Sequence, residues 1–234
     1  EEVGCEALAR FTREARLAAR LRHPGIVPVL DVGEAEGRHY LTMEYASGRT
    51  LAVALGETRE AKRAGDPGAL ARLRDEVAVL ADIAAAVAYA HGEGVLHRDL
   101  KPGNVILDAG GRPRVLDFGL AKEVAGEKGP PCGTPDLALL THSGQTLGTP
   151  AYMSPEQVAG DTARIGPACD VWALGVILYE ILTGCLPFEA PDISAVFRRI
   201  LDAEPDAPRA RQPAAPPDLE AVCLRALDKD LARR

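Results

Sequence analysis

Hydrophobic residues recur at helical spacing in five stretches of the chain, which are separated by segments rich in glycine and proline. A period of three to four residues is typical of helices that bury one face. The stretches are 6–22, 70–91, 169–183, 193–203 and 219–227. The third is apolar nearly all round, which predicts a helix buried in the core. In the second, the predicted buried face consists of Leu73, Val77, Leu80, Ile83, Ala84 and Val87.

Shorter apolar runs flanked by turn residues predict β-strands. Residues 26–32 and 39–45 form one predicted hairpin around a turn at 33–37. Residues 105–107 and 114–116 are two further short strands, separated by a glycine-containing turn. The chain therefore mixes helices with a small number of strands.

Two segments lack a clear hydrophobic period. For 48–68 we predict a loop with short helical pieces, and for 122–148, which is rich in glycine, proline and threonine, a long loop. No internal repeat is visible. Taken together, the elements predict an α+β fold with a helical majority.

The overall composition is ordinary for a soluble globular protein, with 47% hydrophobic and 26% charged residues. The net charge of −7 argues against a nucleic-acid-binding protein, which needs a basic surface. The longest apolar run, 171–182, is shorter than the about 20 residues needed to span a bilayer. Five scattered cysteines without C-x-x-C spacing predict neither a disulfide framework nor a zinc site, and they favour a reducing cytoplasm.

Two short polar blocks carry the candidate chemistry, HRDLKPGN at 97–104 and DFG at 117–119. The first offers a carboxylate that can accept a hydroxyl proton (Asp99), an ammonium group that can neutralise a phosphate (Lys101) and an amide that can hold a metal ion (Asn104). The second offers a further carboxylate, and Mg²⁺ prefers oxygen ligands. A simple turn between helix and strand would account for a bare H-x-D, but not for eight matched positions followed by a strand.

These blocks match the catalytic loop and the metal loop of protein kinases, and the chain resembles a eukaryotic-like (Hanks-type) bacterial serine/threonine protein kinase. The resemblance implies that Asp99 orients the acceptor hydroxyl and that Lys101 lies beside the transferred phosphate. Asn104 and Asp117 would bind magnesium. The resemblance also implies structural roles for His97, Arg98, Phe118 and Gly119.

The segment GTPAYMSPE at 148–156 resembles the part of the kinase fold on which the peptide substrate lies. Within it, Thr149 would bridge the catalytic aspartate and lysine. Glu156 would form a buried ion pair with Arg234. Asp170, at the start of the predicted buried helix, would hold the backbone of the catalytic loop.

The resemblance also assigns residues to the nucleotide. Glu14, in the helix at 6–22, would pair with a phosphate-binding lysine of the N-terminal lobe. Met43 would be the gatekeeper beside the adenine, whose edge would be bound by backbone groups of Glu44, Tyr45 and Ala46. From the residues alone, a surface glutamate is the preferred explanation of Glu14, and Met43 is simply part of a strand end.

Thr141 and Ser143 lie in the predicted long loop, at positions where related kinases autophosphorylate. Arg98 would pair with the added phosphate and order the loop. The simpler interpretation is that the two hydroxyls only populate a polar loop.

The fold implied by the resemblance is protein-kinase-like and bilobal, with a truncated N-terminal lobe. Residues 1–45 would be the remnant of that lobe, one helix and a hairpin, and 46–234 a mostly helical C-terminal lobe with an activation segment at 117–156. No glycine-rich loop and no lysine in a V-A-I-K context precedes Glu14, and the chain begins without Met. We therefore expect a piece of a complete kinase, with weak or no activity alone, rather than a degenerate protein that works without these parts.

The implied activity is transfer of the ATP γ-phosphate to serine or threonine hydroxyls of proteins in signalling, with Mg²⁺ or Mn²⁺ as the metal. The implied partners are ATP and protein substrates, with no nucleic acid, and the implied location is the cytoplasm. A kinase-domain dimer and a membrane anchor elsewhere in the parent protein are compatible with the family. One alternative is a pseudokinase-like interaction module. Another is a small-molecule kinase, and the segment 148–156 argues against this second alternative only.

Overall fold

The computed structural model describes residues 15, 17–35, 38–64, 66, 68–118 and 150–234, which form two small sheets and a largely helical body. The predicted α+β class with a helical majority is confirmed. Among these residues, no helix has both the length and the apolar character needed to cross a membrane. The predicted helix at 6–22 is described only near its end, where Ala15, Leu17 and Ala18 are helical, and the predicted loop at 122–148 lies outside the described residues.

The first sheet is an antiparallel hairpin of strands β1 (Val29–Ala35) and β2 (Arg38–Met43). The sequence predicted both strands, but the first begins three residues later than predicted and the second ends two residues earlier. The first begins late because Ile26 instead forms an isolated parallel bridge with Val115. The predicted turn is shorter than expected, since Gly33 and Ala35 still pair with the second strand.

The second sheet consists of three short antiparallel strands in the order β3 (Arg49–Thr50), β4 (Val105–Leu107) and β5 (Pro113–Val115). The prediction at 105–107 is confirmed, and the one at 114–116 is wrong by one residue. Val115 also binds the segment before the hairpin, because its N–H donates to the Gly25 carbonyl at 2.8 Å and its carbonyl accepts from Val27 N–H at 2.9 Å. The two candidate chemical blocks therefore flank strands β4 and β5, and β5 is hydrogen-bonded to the segment before the hairpin.

Helix α1 (Leu51–Arg63) occupies a segment for which we predicted a loop with short helical pieces, so that prediction was wrong. The Thr50 hydroxyl caps the helix by accepting a hydrogen bond from Val53 N–H at 3.3 Å. The buried face repeats at helical spacing and consists of Leu51, Ala54, Leu55 and Thr58. Gly56 and the many charged residues of the outer face concealed this pattern in the sequence.

The helical body is built around two long helices that pack against each other. They are α2 (Ala69–Gly92) and α4 (Pro167–Thr183), and the single-turn helix α3 (Pro155–Val158) lies between them in sequence. The predictions at 70–91 and 169–183 are confirmed, and Trp172 and Tyr179 of α4 are fully buried. In α2, Leu73, Leu80, Ile83 and Val87 are buried as predicted, whereas Val77 and Ala84 are only half-buried and Glu76 is buried in their place.

Three shorter helices follow, α5 (Ile193–Asp202), α6 (Pro208–Arg211) and α7 (Pro217–Ala226). The first and third confirm the predictions at 193–203 and 219–227 to within two residues, and α6 lies in the proline-containing segment between them. Helix α7 approaches α4 closely because residue 175 is glycine: a Cβ there would lie 2.8 Å from the Cβ of Ala226. The proposed division of the chain at residues 45 and 46 stays a prediction.

Candidate active site

The loop at 97–104 is held by a buried carboxylate of helix α4. Asp170, which is 1% exposed, accepts hydrogen bonds from the backbone N–H groups of His97 at 2.9 Å and Arg98 at 2.8 Å. His91, in the last turn of α2, places its Nε2 2.7 Å from the same carboxylate. Burial by itself would raise the pKa of Asp170, but these donors outweigh it and hold the pKa below its ordinary value. Asp170 is therefore charged at neutral pH and fixes the backbone of the loop.

Arg98 adopts a left-handed backbone conformation with φ = 66°. Residues with a Cβ rarely adopt it, because it costs about 1–2 kcal/mol. The Arg98 N–H is bound by Asp170, and the Arg98 carbonyl accepts a hydrogen bond from Gln157 Nε2 at 2.7 Å. Buried hydrogen bonds thus maintain the strained turn that comes directly before Asp99.

Three of the predicted site residues meet within this loop. Lys101 Nζ lies 2.8 Å from Asp99 Oδ2. Asn104 Nδ2 donates to the Asp99 carbonyl at 2.9 Å and approaches its carboxylate at 3.3 Å. The Asp99 and Lys101 side chains are both partly exposed. An ammonium group and an amide therefore orient the carboxylate, which keeps a surface open to a hydroxyl from solvent.

Asp117 is brought to the catalytic loop by the backbone. Leu116 N–H donates to the Asn104 carbonyl at 2.9 Å, so Asp117 follows directly on this contact. Its φ of 56° is also left-handed, which indicates that the surroundings impose its conformation. Next to it, Phe118 is buried and packs on the His97 ring with centroids 4.9 Å apart.

Asn104 and Asp117 fit the requirements of a magnesium ion. The Asn104 amide nitrogen is used in hydrogen bonds to Asp99, which leaves its Oδ1 for a cation. Within the described ranges, no group of three or more His, Cys, Asp or Glu side chains could hold a metal ion. The oxygens of Asn104 and Asp117 suit Mg²⁺, which usually binds through one or two carboxylates together with phosphate oxygens and water.

The predicted nucleotide hinge follows strand β2. Met43 is the last residue of that strand, and Glu44 N–H donates to the Pro28 carbonyl at 3.0 Å. The Glu44 carboxylate accepts a hydrogen bond from Arg114 Nη1 at 2.6 Å, which holds the pKa of Glu44 below its ordinary value. Tyr45 is exposed and Ala46 is half-buried. The segment 44–46 thus lies at the surface, directly after strand β2.

Just after the hinge, the chain passes very close to strand β4 at Gly48. Its φ is 147°, and a Cβ at this position would lie 2.0 Å from the Leu107 carbonyl oxygen. Only glycine can adopt this conformation at that distance. The predicted hinge is therefore followed by a close backbone contact with strand β4 that only glycine permits.

Glu156 and Arg234 form a buried ion pair. Two parallel hydrogen bonds of 2.8 and 2.9 Å join the guanidinium group to the carboxylate. Arg234 also donates from Nε to the Asp228 carbonyl at 2.7 Å and lies over the Trp172 ring, 5.0 Å from its centroid. A planar guanidinium group suits both contacts. The pair ties helix α3 to the last residue of the chain.

Two residues of the site were missed from the sequence, His91 and Gln157. Gln157 is buried, and its Oε1 accepts a hydrogen bond from Ser154 N–H at 3.0 Å. The S-x-x-Q spacing at 154–157 is the pattern of a capping box and could have singled out Gln157. For His91, which lies at a helix end, the sequence carries no comparable signal.

Some of the predicted site residues lie outside the described residues, and their roles stay predictions. They are Glu14, Gly119, Thr141, Ser143 and Thr149. The predicted bridge by Thr149, the phosphorylation sites and the contact of Glu14 with a lysine therefore have no structural description. The site as described consists of the catalytic loop, Asp117, the hinge and the buried groups that hold them.

Comparison with known proteins finds similarity along the whole chain. The family model for the protein kinase domain matches residues 1–234. The serine/threonine-protein kinase pkn3 of Myxococcus xanthus is 38% identical over 97% of this chain and 39% of its own length. The DNA damage-responsive serine/threonine-protein kinase RqkA of Deinococcus radiodurans is 40% identical over 97% of the chain and 31% of its own. The serine/threonine-protein kinase PknB of Mycobacterium tuberculosis is 36% identical over 96% of the chain and 33% of its own length. The chain spans about a third of the length of these curated relatives.

Proposed function

Because the chain belongs to the protein kinase family, we propose that it transfers the γ-phosphate of ATP to serine and threonine hydroxyls of proteins. The observation that carries this proposal is the 2.8 Å contact of Lys101 Nζ with Asp99 Oδ2, on a loop whose backbone is bound by the buried Asp170. Phosphoryl transfer needs little covalent work from the protein and depends on positioning and on charge neutralisation. A carboxylate and an ammonium group in contact on a fixed loop provide both.

Each residue of the loop has a distinct part in this proposal. The Asp99 carboxylate orients the acceptor hydroxyl and accepts its proton. Lys101 neutralises negative charge on the phosphate, and a lysine two residues after the aspartate is the form found in serine/threonine kinases. Thr149 would add a hydroxyl that bridges the two. The relatives named above, all of them named as serine/threonine kinases, support the choice of acceptor.

Nucleotide and metal would be held on the side of Asp117 and the hinge. Asn104 and Asp117 would bind Mg²⁺, or Mn²⁺ in its place, and the metal when bound would neutralise charge on the phosphates. The backbone of 44–46 would bind the adenine edge beside Met43. Glu14 would pair with a lysine that binds the phosphates.

We also propose that the activity is regulated by phosphorylation and serves signalling in the cytoplasm. Phosphate on Thr141 or Ser143 would pair with Arg98, whose position next to Asp99 would couple the modification to the catalytic loop. A dimer of kinase domains would bring one copy's loop to the active site of another. The protein substrates would bind along the segment 148–156.

The test is phosphate transfer by the full gene product that contains this chain. Three peptides that differ only in their acceptor residue, serine, threonine or tyrosine, are incubated with ATP and Mg²⁺. We expect phosphate on serine and threonine, and we expect Asp99→Asn to lower kcat by about 10²-fold or more. The control is Asp75→Asn, an exposed carboxylate on helix α2, which should leave the rate unchanged. Transfer to tyrosine alone, or full activity of Asp99→Asn, would contradict the proposal.

A further inference from the structure

The peptide group between Arg98 and Asp99 is bound at both of its polar atoms. Its carbonyl oxygen accepts a hydrogen bond from Gln157 Nε2 at 2.7 Å, and its N–H lies 3.3 Å from His97 Nδ1. Arg98, with φ = 66°, is in a conformation that persists only where the surroundings determine it. Gln157 is one of the groups that determine it, and no role was predicted for Gln157 from the sequence.

Gln157 is itself firmly anchored. It is buried in the single-turn helix α3, and its Oε1 accepts the Ser154 N–H at 3.0 Å while its Nε2 binds Arg98. With one end of the amide accepting and the other donating, only one orientation of the side chain satisfies both bonds. The preceding residue, Glu156, is held by its ion pair with Arg234. Helix α3 is therefore a fixed support from which Gln157 reaches the catalytic loop.

We infer that Gln157 is a positioning residue for the proposed phosphoryl transfer. By binding the Arg98 carbonyl, it fixes the peptide plane from which the Asp99 side chain projects. The catalytic loop and the substrate-side segment 150–158 then form one unit, so Asp99 has its productive orientation only while α3 is docked. The expected effect on kcat rests on the proposed function, whereas the expected effect on the conformation of the loop does not.

The competing explanation is that Gln157 only caps helix α3. The variant Gln157→Glu separates the two roles, because a glutamate can still accept the Ser154 N–H but cannot donate to the Arg98 carbonyl. At neutral pH it also places a negative charge against that carbonyl oxygen. The matched control is Gln212→Glu, the same chemical change at the end of helix α6, where the side chain makes no hydrogen bond to a described residue.

Two readouts are needed, one kinetic and one structural. We expect Gln157→Glu to lower kcat by about 10²-fold, since a small misplacement of a reacting group has an effect of that size, with the KM for ATP changed by less than about twofold. In hydrogen–deuterium exchange, the amides of 98–100 should exchange about tenfold faster or more, because a hydrogen bond that holds the turn is lost. Gln212→Glu should match the wild type in both measurements.

Unchanged exchange at 98–100 in a folded Gln157→Glu variant would overturn the inference. So would a fall in kcat that is accompanied by an equal rise in the KM for ATP, which indicates a general structural defect. If Gln157→Glu does not fold, Gln157→Met, a neutral side chain of similar length that loses both bonds, is put through the same two measurements. Faster exchange at 98–100 together with the fall in kcat then supports the positioning role, whereas faster exchange confined to 154–158 overturns it. If the wild type phosphorylates no peptide, the proposed function fails, whereas the exchange measurement still decides whether Gln157 positions the loop.

Discussion

Two buried carboxylates, Asp170 and Glu76, differ in the hydrogen-bond donors that surround them. Asp170 is 1% exposed and receives hydrogen bonds from two backbone N–H groups and from His91. Glu76, on helix α2, is 8% exposed, and neither of its oxygens makes a hydrogen bond to a described residue. The pKa of Asp170 is lowered, because the donors outweigh burial, whereas burial raises the pKa of Glu76 despite the charges of Lys62 and Arg72. Burial alone therefore does not decide the charge of a carboxylate; the donors around it do.

The donors of Asp170 are part of the candidate active site itself. Because they belong to the backbone of the catalytic loop, the charge of Asp170 and the shape of the loop depend on each other. Around Glu76, by contrast, the nearby cation is already engaged: Lys62 Nζ donates to the Ile181 carbonyl at the end of α4, at 2.6 Å, and burial lowers its pKa. Among the described residues, Glu76 therefore makes no hydrogen bond comparable to those of Asp170, and its burial costs stability.

Glu156 is a third case, since its carboxylate is satisfied by a cation rather than by backbone groups. The paired guanidinium of Arg234 supplies two donors and a full positive charge. Such a pair holds two segments together only while both partners are present. The three carboxylates therefore predict three different responses to substitution.

The largest effect is expected at Asp170. In Asp170→Asn, an amide NH₂ group replaces one of the two carboxylate oxygens. Because each oxygen accepts a hydrogen bond from a backbone N–H of the loop, at least one of these N–H groups loses its acceptor. We expect a loss of about 2–3 kcal/mol in the free energy of unfolding, measured in urea. Asp82→Asn, an exposed carboxylate on α2, is the control. Equal stability of the two variants would contradict the role of Asp170 in holding the loop.

A smaller effect is expected when the ion pair at Glu156 is weakened without losing its charge. In Arg234→Lys, an ammonium group cannot make the two parallel hydrogen bonds or the stacking contact with Trp172. We expect the free energy of unfolding to fall by about 1–2 kcal/mol, less than if the charge were lost. Arg233→Lys, one residue earlier and exposed, should have no measurable effect. A loss as large for Arg233→Lys as for Arg234→Lys would show that the buried geometry is irrelevant.

The smallest effect is expected at Glu76, and its sign depends on pH. Because the pKa of Glu76 is raised in the folded protein, its carboxyl group stays protonated there at pH values where it ionises in the unfolded chain. The stability that this protonated group contributes to the folded protein is fully present below the pKa that Glu76 has in the unfolded chain. It is lost as the pH rises through the pKa that Glu76 has in the folded protein. At pH 8 we therefore expect Glu76→Gln to be more stable than the wild type by about 1 kcal/mol.

The same comparison at low pH is the internal check on Glu76. Near pH 4 the advantage of Glu76→Gln should disappear, since the wild-type carboxyl group is then protonated in both states. Glu60→Gln, on the exposed face of helix α1, should show no such change between pH 4 and pH 8. An advantage that grows as the pH falls would mean that Glu76 is bound and charged in the folded protein.

The sequence was most informative where the residues of a site follow one another closely. Asp99, Lys101 and Asn104 lie within six positions, in a motif that was recognised as a unit, and their side chains are in contact in the structure. The buried helix α4 was equally clear, because its residues are apolar nearly all round. In both cases the signal is local, and the structure adds geometry to a prediction that was already correct.

The sequence was least informative where contacts join distant segments. Gln157 and Arg98 are 59 positions apart and His91 and Asp170 are 79 apart, and nothing in the local pattern of either pair indicates a bond. The start of β1 was wrong for a similar reason, since Ile26 pairs with Val115 rather than within the hairpin. Glu76 was missed because helical periodicity ranks hydrophobic residues and gives no reason to bury a glutamate.

The most direct test of this account is a pH titration of the side-chain carboxyl carbons of Asp170 and Glu76 by NMR in a single sample, with signals assigned from Asp170→Asn and Glu76→Gln. The account predicts that Asp170 titrates below the ordinary pKa of an aspartate and Glu76 above that of a glutamate, although both are buried. It would be contradicted if both carboxyl groups titrated above their ordinary values, because burial, and not the donors of the catalytic loop, would then set the charge beneath the active site.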